Sequence, residues 1–288
     1  MKDAFRRVPA TAWVVALFVY MSLHLIGVAK WRLLINVAGA DLSFLEATRA
    51  YYWGLFGNTF LPSIVGGDVV KAGVAMRAAR SKSGLVLGSL IDRLLDILGL
   101  AAVAGIGAFL SPRALDPESR RVFVALIVLL ALVAVACGIA LLVTPVQRLP
   151  FKIRRILVQV RQALRAMAGK SWALGVAFLL GMLLQSLLVV LNYRLGIVIG
   201  IEIPLYVWMF VWPLAKVSGL LPITQGGVGV REAAQAALFA PFGVTAVKAV
   251  ATGLVFEVVL IVGGLLGGGI AFLIGRSRAR AVRLPSTA

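Results

Sequence analysis

The fold class predicted for this chain is all-α: a polytopic transmembrane helical bundle with two re-entrant broken-helix hairpins arranged as an inverted repeat. Three observations predict it. Apolar residues make up 61% of the 288, and mean hydropathy is +1.01. The runs 8–29, 122–146 and 171–193 contain no Asp, Glu, Lys or Arg. Each is long enough to cross a hydrocarbon core of about 30 Å at about 1.5 Å per residue. Third, Leu61-Pro62-x-x-x-Gly66-Gly67 recurs in the other half as Leu221-Pro222-x-x-x-Gly226-Gly227. Proline followed by paired glycine breaks a helix, and a break at membrane depth is tolerated only where protein buries it or it lines a cavity. Matched breaks in two halves of a chain point to a transporter-type site.

Taken in order, the first predicted span is 9–34. It has a basic start like a signal peptide, but it runs too long and ends in Lys30-Trp31-Arg32 without a small-residue cleavage site, so it is read as a retained span. A helix over 44–61 stops at Pro62, the chain turns through Gly66-Gly67, and a short helix follows over 68–79. Each piece is too short to cross, which predicts a re-entrant hairpin. The span 84–110 contains Asp92, Arg93 and Asp96, a polar loop follows, and 122–146 is an uncharged span. Over 150–170, Ile153, Ile156, Leu157, Val160, Leu164 and Met167 recur at helical spacing, which predicts an amphipathic interfacial helix. The second half repeats the order: span 171–199, broken unit 204–242, and span 245–275 with Glu257 inside it and Gly263, Gly264, Gly267, Gly268 and Gly269 crowding its end. Those glycines predict close helix packing. The domain organisation is a single transmembrane domain, 1–288. It divides into a first repeat over about 9–146, a basic linker at 147–170, a second repeat over about 171–275 and a basic tail at 276–288.

Net charge is +18, with seven cations and no acid between Arg148 and Lys170 and more in the tail. Inside a membrane protein these read as positive-inside anchors, not as a nucleic-acid surface. If both hairpins return to the side they entered, Lys30, Arg32, Arg77, Arg80, Lys82, the linker and the tail share one side, which predicts a plasma (inner) membrane protein with linker and tail cytoplasmic. Lys2, Arg6 and Arg7 then fall outside, accounted for by an absent upstream span or by an odd-crossing first hairpin. A lone Cys137 and a lone His24 leave no metal spacing, disulfide framework or His-based triad, and no cofactor is expected.

A charge at the bilayer centre costs about 2.5–3.5 kcal/mol, so intramembrane charges need partners or a wet cavity. Asp92 and Asp96 share one helix face and repel unless a cation lies between them; Arg231 or Lys216 from the opposite repeat would fit. A polar cavity holding a charged headgroup is one outcome and a structural ion cluster the other. In that cavity Lys71, Arg93 and Arg231 are the candidate headgroup ligands. Gly66, Gly67, Gly226, Gly227 and Gly229 would admit close backbone approach at helix starts that favour anions. Asp68, Asp92, Asp96, Glu232 and Glu257 would order those cations or carry a coupling proton, with Asp68 also suited to capping its helix. Aromatic clusters (Tyr51, Tyr52, Trp53, Phe56; Tyr206, Trp208, Phe210, Trp212) precede each break, either as interfacial belts or as a wall for an acyl or isoprenoid chain.

Three motifs in order, Phe60-Leu61-Pro62-x-x-x-Gly66-Gly67-Asp68, Ile91-Asp92-Arg93-Leu94-Leu95-Asp96 and Leu221-Pro222-x-x-x-Gly226-Gly227-Val228-Gly229-Val230-Arg231-Glu232, resemble the flippase-like transmembrane region of lysylphosphatidylglycerol synthases, over about 31–274. The resemblance implies handling of lipid or polyprenyl-linked lipid between leaflets. In the two-part synthases a separate soluble domain performs aminoacyl transfer; no such domain follows within the 288 residues, so enzyme activity is not expected. The resulting expectation is an integral membrane protein that binds and translocates an anionic or polyprenyl-linked lipid. One alternative is a membrane enzyme of lipid-linked glycan or isoprenoid metabolism, using Asp92 and Asp96 around a cation. Another is a scaffold for a separately encoded partner enzyme. Expected partners are membrane lipids and no nucleic acid.

Overall fold

The computed structural model describes residues 8–61, 65–110, 151–219 and 227–283, with single positions at 121, 132, 136, 139 and 224. Among the described residues every regular element is helical: α1 (Ala10–Val37), α2 (Phe44–Phe60), α3 (Val65–Ala75), α4 (Lys82–Leu110), α5 (Phe151–Ala168), α6 (Ser171–Ile199), α7 (Leu205–Ser218), α8 (Val230–Phe239), a 3-10 turn (Ala240–Phe242) and α9 (Ala246–Arg283). Four helices are long and apolar enough to cross a membrane: Ala10–Val37, Lys82–Leu110, Ser171–Ile199 and Ala246–Ser277. Their outer faces expose Phe18, Phe109, Leu179 and Leu273, as contact with acyl chains demands. The span expected over 122–146 lies outside the described residues, apart from three isolated positions, as do Pro62, Leu221, Pro222 and Gly226.

Between the long helices lie the short pairs α2/α3 and α7/α8. A capping box starts α2: Glu46 N–H donates to Ser43 Oγ, and the Glu46 carboxylate accepts from Ser43 N–H at 2.9 Å. Replacing Ser43 by Ala is expected to cost about 1 kcal/mol, read as a lower midpoint of thermal unfolding in detergent. The loop before it is tied by Arg32 Nε and Asn36 Nδ2, both donating to Leu42 O at 2.9 Å.

The chain returns from α3 to the point where α2 set out, since Arg80 N–H donates to Ala40 O at 2.9 Å. Beside this junction Ser83 Oγ donates to Gln159 of α5 at 3.2 Å, and α6 begins just after α5. The second pair closes in the same way at the far end of α6, where Lys248 Nζ donates to Gly200 O at 2.8 Å. One pair therefore opens at the start of α6 and the other at its end.

Each pair's first helix packs on the long helix that follows the other pair. Gly267 and Gly268 of α9 lie against Tyr52 and Phe56 of α2; a Cβ on Gly268 would come within 2.9 Å of Phe56 Cγ. Gly107 of α4 lies against the α7 backbone, where a Cβ would sit 2.7 Å from Tyr206 O. Of the crowded glycines of the last span, Gly263, Gly264, Gly267 and Gly268 serve close packing, whereas nothing lies within 4 Å of the Gly269 Cβ position. The main core joins both halves through Tyr20, Leu188, Trp208, Phe239 and Phe256. Along its expected stripe, α5 packs Leu157, Val160, Leu164 and Met167 inward and leaves Arg154, Arg155 and Arg165 exposed.

Boundaries shift in three places. The first helix runs on to Val37, because Leu33, Leu34 and Ile35 continue its apolar face beyond Arg32. The helix after the first break already begins at Val65, so Gly66 and Gly67 occupy its first turn, and it ends at Ala75. The last helix continues to Arg283, through part of the predicted tail.

Candidate functional site

Two chambers adjoin in the interior. The first, about 120 Å³, is walled by α1, α2, α3, α4, α6 and the end of α7. Lys30 of α1 reaches between the two α4 carboxylates, 2.7 Å from Asp92 Oδ1 and 2.6 Å from Asp96 Oδ1. Lys71 of α3 bridges Asp68 at 3.1 Å and Asp92 at 3.6 Å, and its ammonium faces the rings of Trp31 and Tyr51 at 4.8 and 5.3 Å. Arg93 pairs with Asp68. The arrangement follows from helical spacing: Asp92 and Asp96 face one way, and Arg93, about 100° round the helix, reaches toward α3.

The second chamber, about 130 Å³, lies among α1, α2, α6, α7, α8 and α9. Arg231 of α8 pairs there with Glu257 of α9. Each half thus carries an ion pair from the second short helix to the following long helix, with polarity reversed: Asp68 to Arg93 in one, Arg231 to Glu257 in the other. His24, Leu55, Asn58, Leu188 and Lys216 line both chambers. Lys216 Nζ donates to Gln185 Oε1 at 2.8 Å and sits 4.9 Å from the Trp212 ring.

Lys71, Arg93, Asp68, Asp92, Asp96 and Gly67 come together in the first chamber, and Arg231 and Glu257 in the second. Glu232 lines a smaller adjoining pocket with Asn192 and Gln235, and its carboxylate accepts from Gly229 N–H at 2.5 Å, capping α8. Asp68 pairs its carboxylate with Lys71 and Arg93, and it lies within the first turn of α3 rather than at its cap. The glycine donors are engaged within the chain: Gly67 N–H donates to Asn58 Oδ1 at 2.9 Å, and Gly229 N–H to Glu232. Gly227, at φ 79°, packs on Gly219, where a Cβ would stand 2.8 Å from the Gly219 Cα, so close approach and positive φ both require glycine. Gly66 lies against Leu61, Gly229 is exposed, and Gly226 is outside the described residues.

Two expectations change. The cation between Asp92 and Asp96 comes from α1, not from the opposite half: Lys30 fills the place foreseen for Arg231 or Lys216. At 2% exposure Lys30 is no interfacial anchor and leaves the positive-inside set. In the sequence Lys30 stands beside Trp31 and Arg32, and no spacing along α1 marks it as interior. The aromatic clusters are largely interior, with Tyr52, Trp208, Phe210 and Trp212 buried, so the belt explanation fails for them.

Four helices long and apolar enough to cross a membrane, packed around a charge-lined interior, define a multi-pass α-helical membrane protein. The family model described as the lysylphosphatidylglycerol synthase TM region matches residues 1–268, and the chain belongs to that family. No curated protein and no solved structure matches it.

Proposed function

We propose that this protein receives an anionic lipid headgroup in the paired chambers and passes it between leaflets of the plasma (inner) membrane. The observation that carries the reading is the concentration of charge in the interior. Lys30, Lys71 and Asp92 are almost wholly buried beside the helix breaks, where ionised groups are expensive and are retained chiefly for transport or catalysis. The two helix pairs opening at opposite ends of α6, each packed on the other half, support a pair of re-entrant hairpins in an inverted repeat. The reversed polarity of Asp68–Arg93 and Arg231–Glu257 supports alternating release of one hairpin and then the other. Exposed Arg77, Arg80, Lys82, Arg154, Arg155 and Arg165 gather at the end where α6 begins, which supports a cytoplasmic linker and tail.

A cation-dependent enzyme is disfavoured, because the Lys30 ammonium occupies the position a divalent ion would need between Asp92 and Asp96. The test is reconstitution into vesicles carrying a trace of phosphatidylglycerol labelled on its acyl chain with a reducible fluorophore. Dithionite added outside is expected to bleach label beyond the outer-leaflet share, and replacing both Arg231 and Glu257 by Gln is expected to slow that second phase. Bleaching identical to that of protein-free vesicles would overturn translocation.

A further inference from the structure

The carboxylates of the two chambers are all engaged. Asp92 and Asp96 hold Lys30, Asp68 and Asp92 hold Lys71, Asp68 also holds Arg93, and Glu257 holds Arg231. Among the described lining residues five cations thus face four carboxylates, and Lys216 is the cation with no carboxylate within ion-pair distance. Its ammonium has three donors, of which Gln185 takes one.

A second observation falls at the same place. His24 is 8% exposed, lines both chambers, and its Nε2 has no hydrogen-bond partner. Its Nδ1 lies 3.3 Å from the Tyr51 hydroxyl. With Nδ1 accepting from that hydroxyl, Nε2 carries the hydrogen and becomes a donor. Arg231 Nε in the second chamber is likewise buried without a partner. Lys216, the one surplus positive charge among the described residues lining the two chambers, and the His24 imidazole therefore converge on the wall that the chambers share, where the lining carboxylates are already held in ion pairs with other cations.

We propose that Lys216 and His24 form the receiving point for the phosphate of a singly charged phosphodiester lipid, at the junction through which a headgroup passes from one chamber to the other. The assignment rests on the lipid-binding reading above and sharpens it. One surplus charge matches a phosphodiester, which carries one negative charge, better than a polyprenyl pyrophosphate, which carries more. Lys216 is also placed to serve both chambers without breaking an existing ion pair, which Lys71, Arg93 and Arg231 are not.

The test titrates the full chain in neutral detergent with phosphatidylglycerol and reads bound lipid by native mass spectrometry. Lys216→Met is expected to bind about tenfold more weakly, the loss expected for a charge-assisted hydrogen bond, and Lys216→Arg to stay near wild type. Thermal unfolding of Lys216→Met is expected close to the wild-type temperature, since no carboxylate is left unpaired and only Gln185 Oε1 loses a donor, which separates lost binding from lost fold. His24→Leu gives a second variant with the same expected weakening. Wild-type affinity in both Lys216→Met and His24→Leu would overturn the assignment. Tighter binding of a polyprenyl pyrophosphate than of phosphatidylglycerol would overturn the single-charge match, and displacement of the lipid by inorganic phosphate would overturn its identification as a lipid site. No phosphatidylglycerol binding by the wild type would overturn the lipid reading beneath it.

Discussion

Lys30→Met is expected to destabilise the protein by about 3–5 kcal/mol, the range for removing one partner of a buried ion pair. The ammonium is 2% exposed and is held 2.7 Å from Asp92 and 2.6 Å from Asp96. Without it, Asp92 keeps Lys71 at 3.6 Å, but Asp96 loses its ion-pair partner and faces a second carboxylate one helical turn away. Replacing a whole buried ion cluster by neutral groups is far less costly than breaking it. Combining Lys30→Met with Asp92→Asn and Asp96→Asn is therefore expected to recover most of the loss. Unfolding followed in one detergent across the three proteins checks both statements. Wild-type stability in the single variant would mean that the cluster is solvated through the chamber and does not hold the helices together.

The second large effect is expected at Gly107. A Cβ there would lie 2.5 Å from Phe210 N, 2.7 Å from Tyr206 O and 2.8 Å from Met209 C. All three are backbone atoms of α7, so no rotamer change relieves the clash, and α4 and α7 must separate. Gly107→Val is expected to cost about 1–3 kcal/mol, the usual penalty of overpacking. It is also expected to depress lipid movement, because α7 carries Lys216 and Trp212. Gly105, on the same helix, is the contrast: nothing lies within 4 Å of its Cβ position. Gly105→Ala is expected to be neutral or to stabilise by up to about 1 kcal/mol through helix propensity. The pair separates a packing requirement from mere glycine content, with melting temperature and bleaching rate as the two readouts.

Much of the fold was legible because membrane burial writes itself into composition. The uncharged run at 171–193, the interruption between the helices 44–60 and 65–75, and the stripe Leu157–Val160–Leu164–Met167 each reflect a one-dimensional constraint on the local chain. The site was legible only as an inventory. Asp68, Lys71, Asp92, Arg93, Asp96, Arg231 and Glu257 stand out because charge is costly at that depth. Which cation meets which carboxylate depends on how helices distant in sequence pack, and no spacing along one helix encodes that. Lys30 was misplaced for this reason: beside Trp31 and Arg32 it looks like an interfacial residue, and only the packing of α1 on α4 carries it between the aspartates. The aromatic residues before the second break were ambiguous in the same way, since a buried wall and an interfacial belt have one composition. His24 showed in the sequence only as a lone histidine, and its position between two chambers became visible with the fold.

The central claim is that the charged interior holds an anionic lipid. The most direct test is mass spectrometry of the lipids that stay with the purified protein, compared with bulk membrane lipid, for the wild type and for the variant in which Arg231 and Glu257 are both replaced by Gln. Replacing both avoids an unpaired carboxylate in the second chamber. The expected result is enrichment of one anionic class in the wild type and its loss or marked reduction in the variant. Bulk-like lipid in both samples would contradict a headgroup site in these chambers.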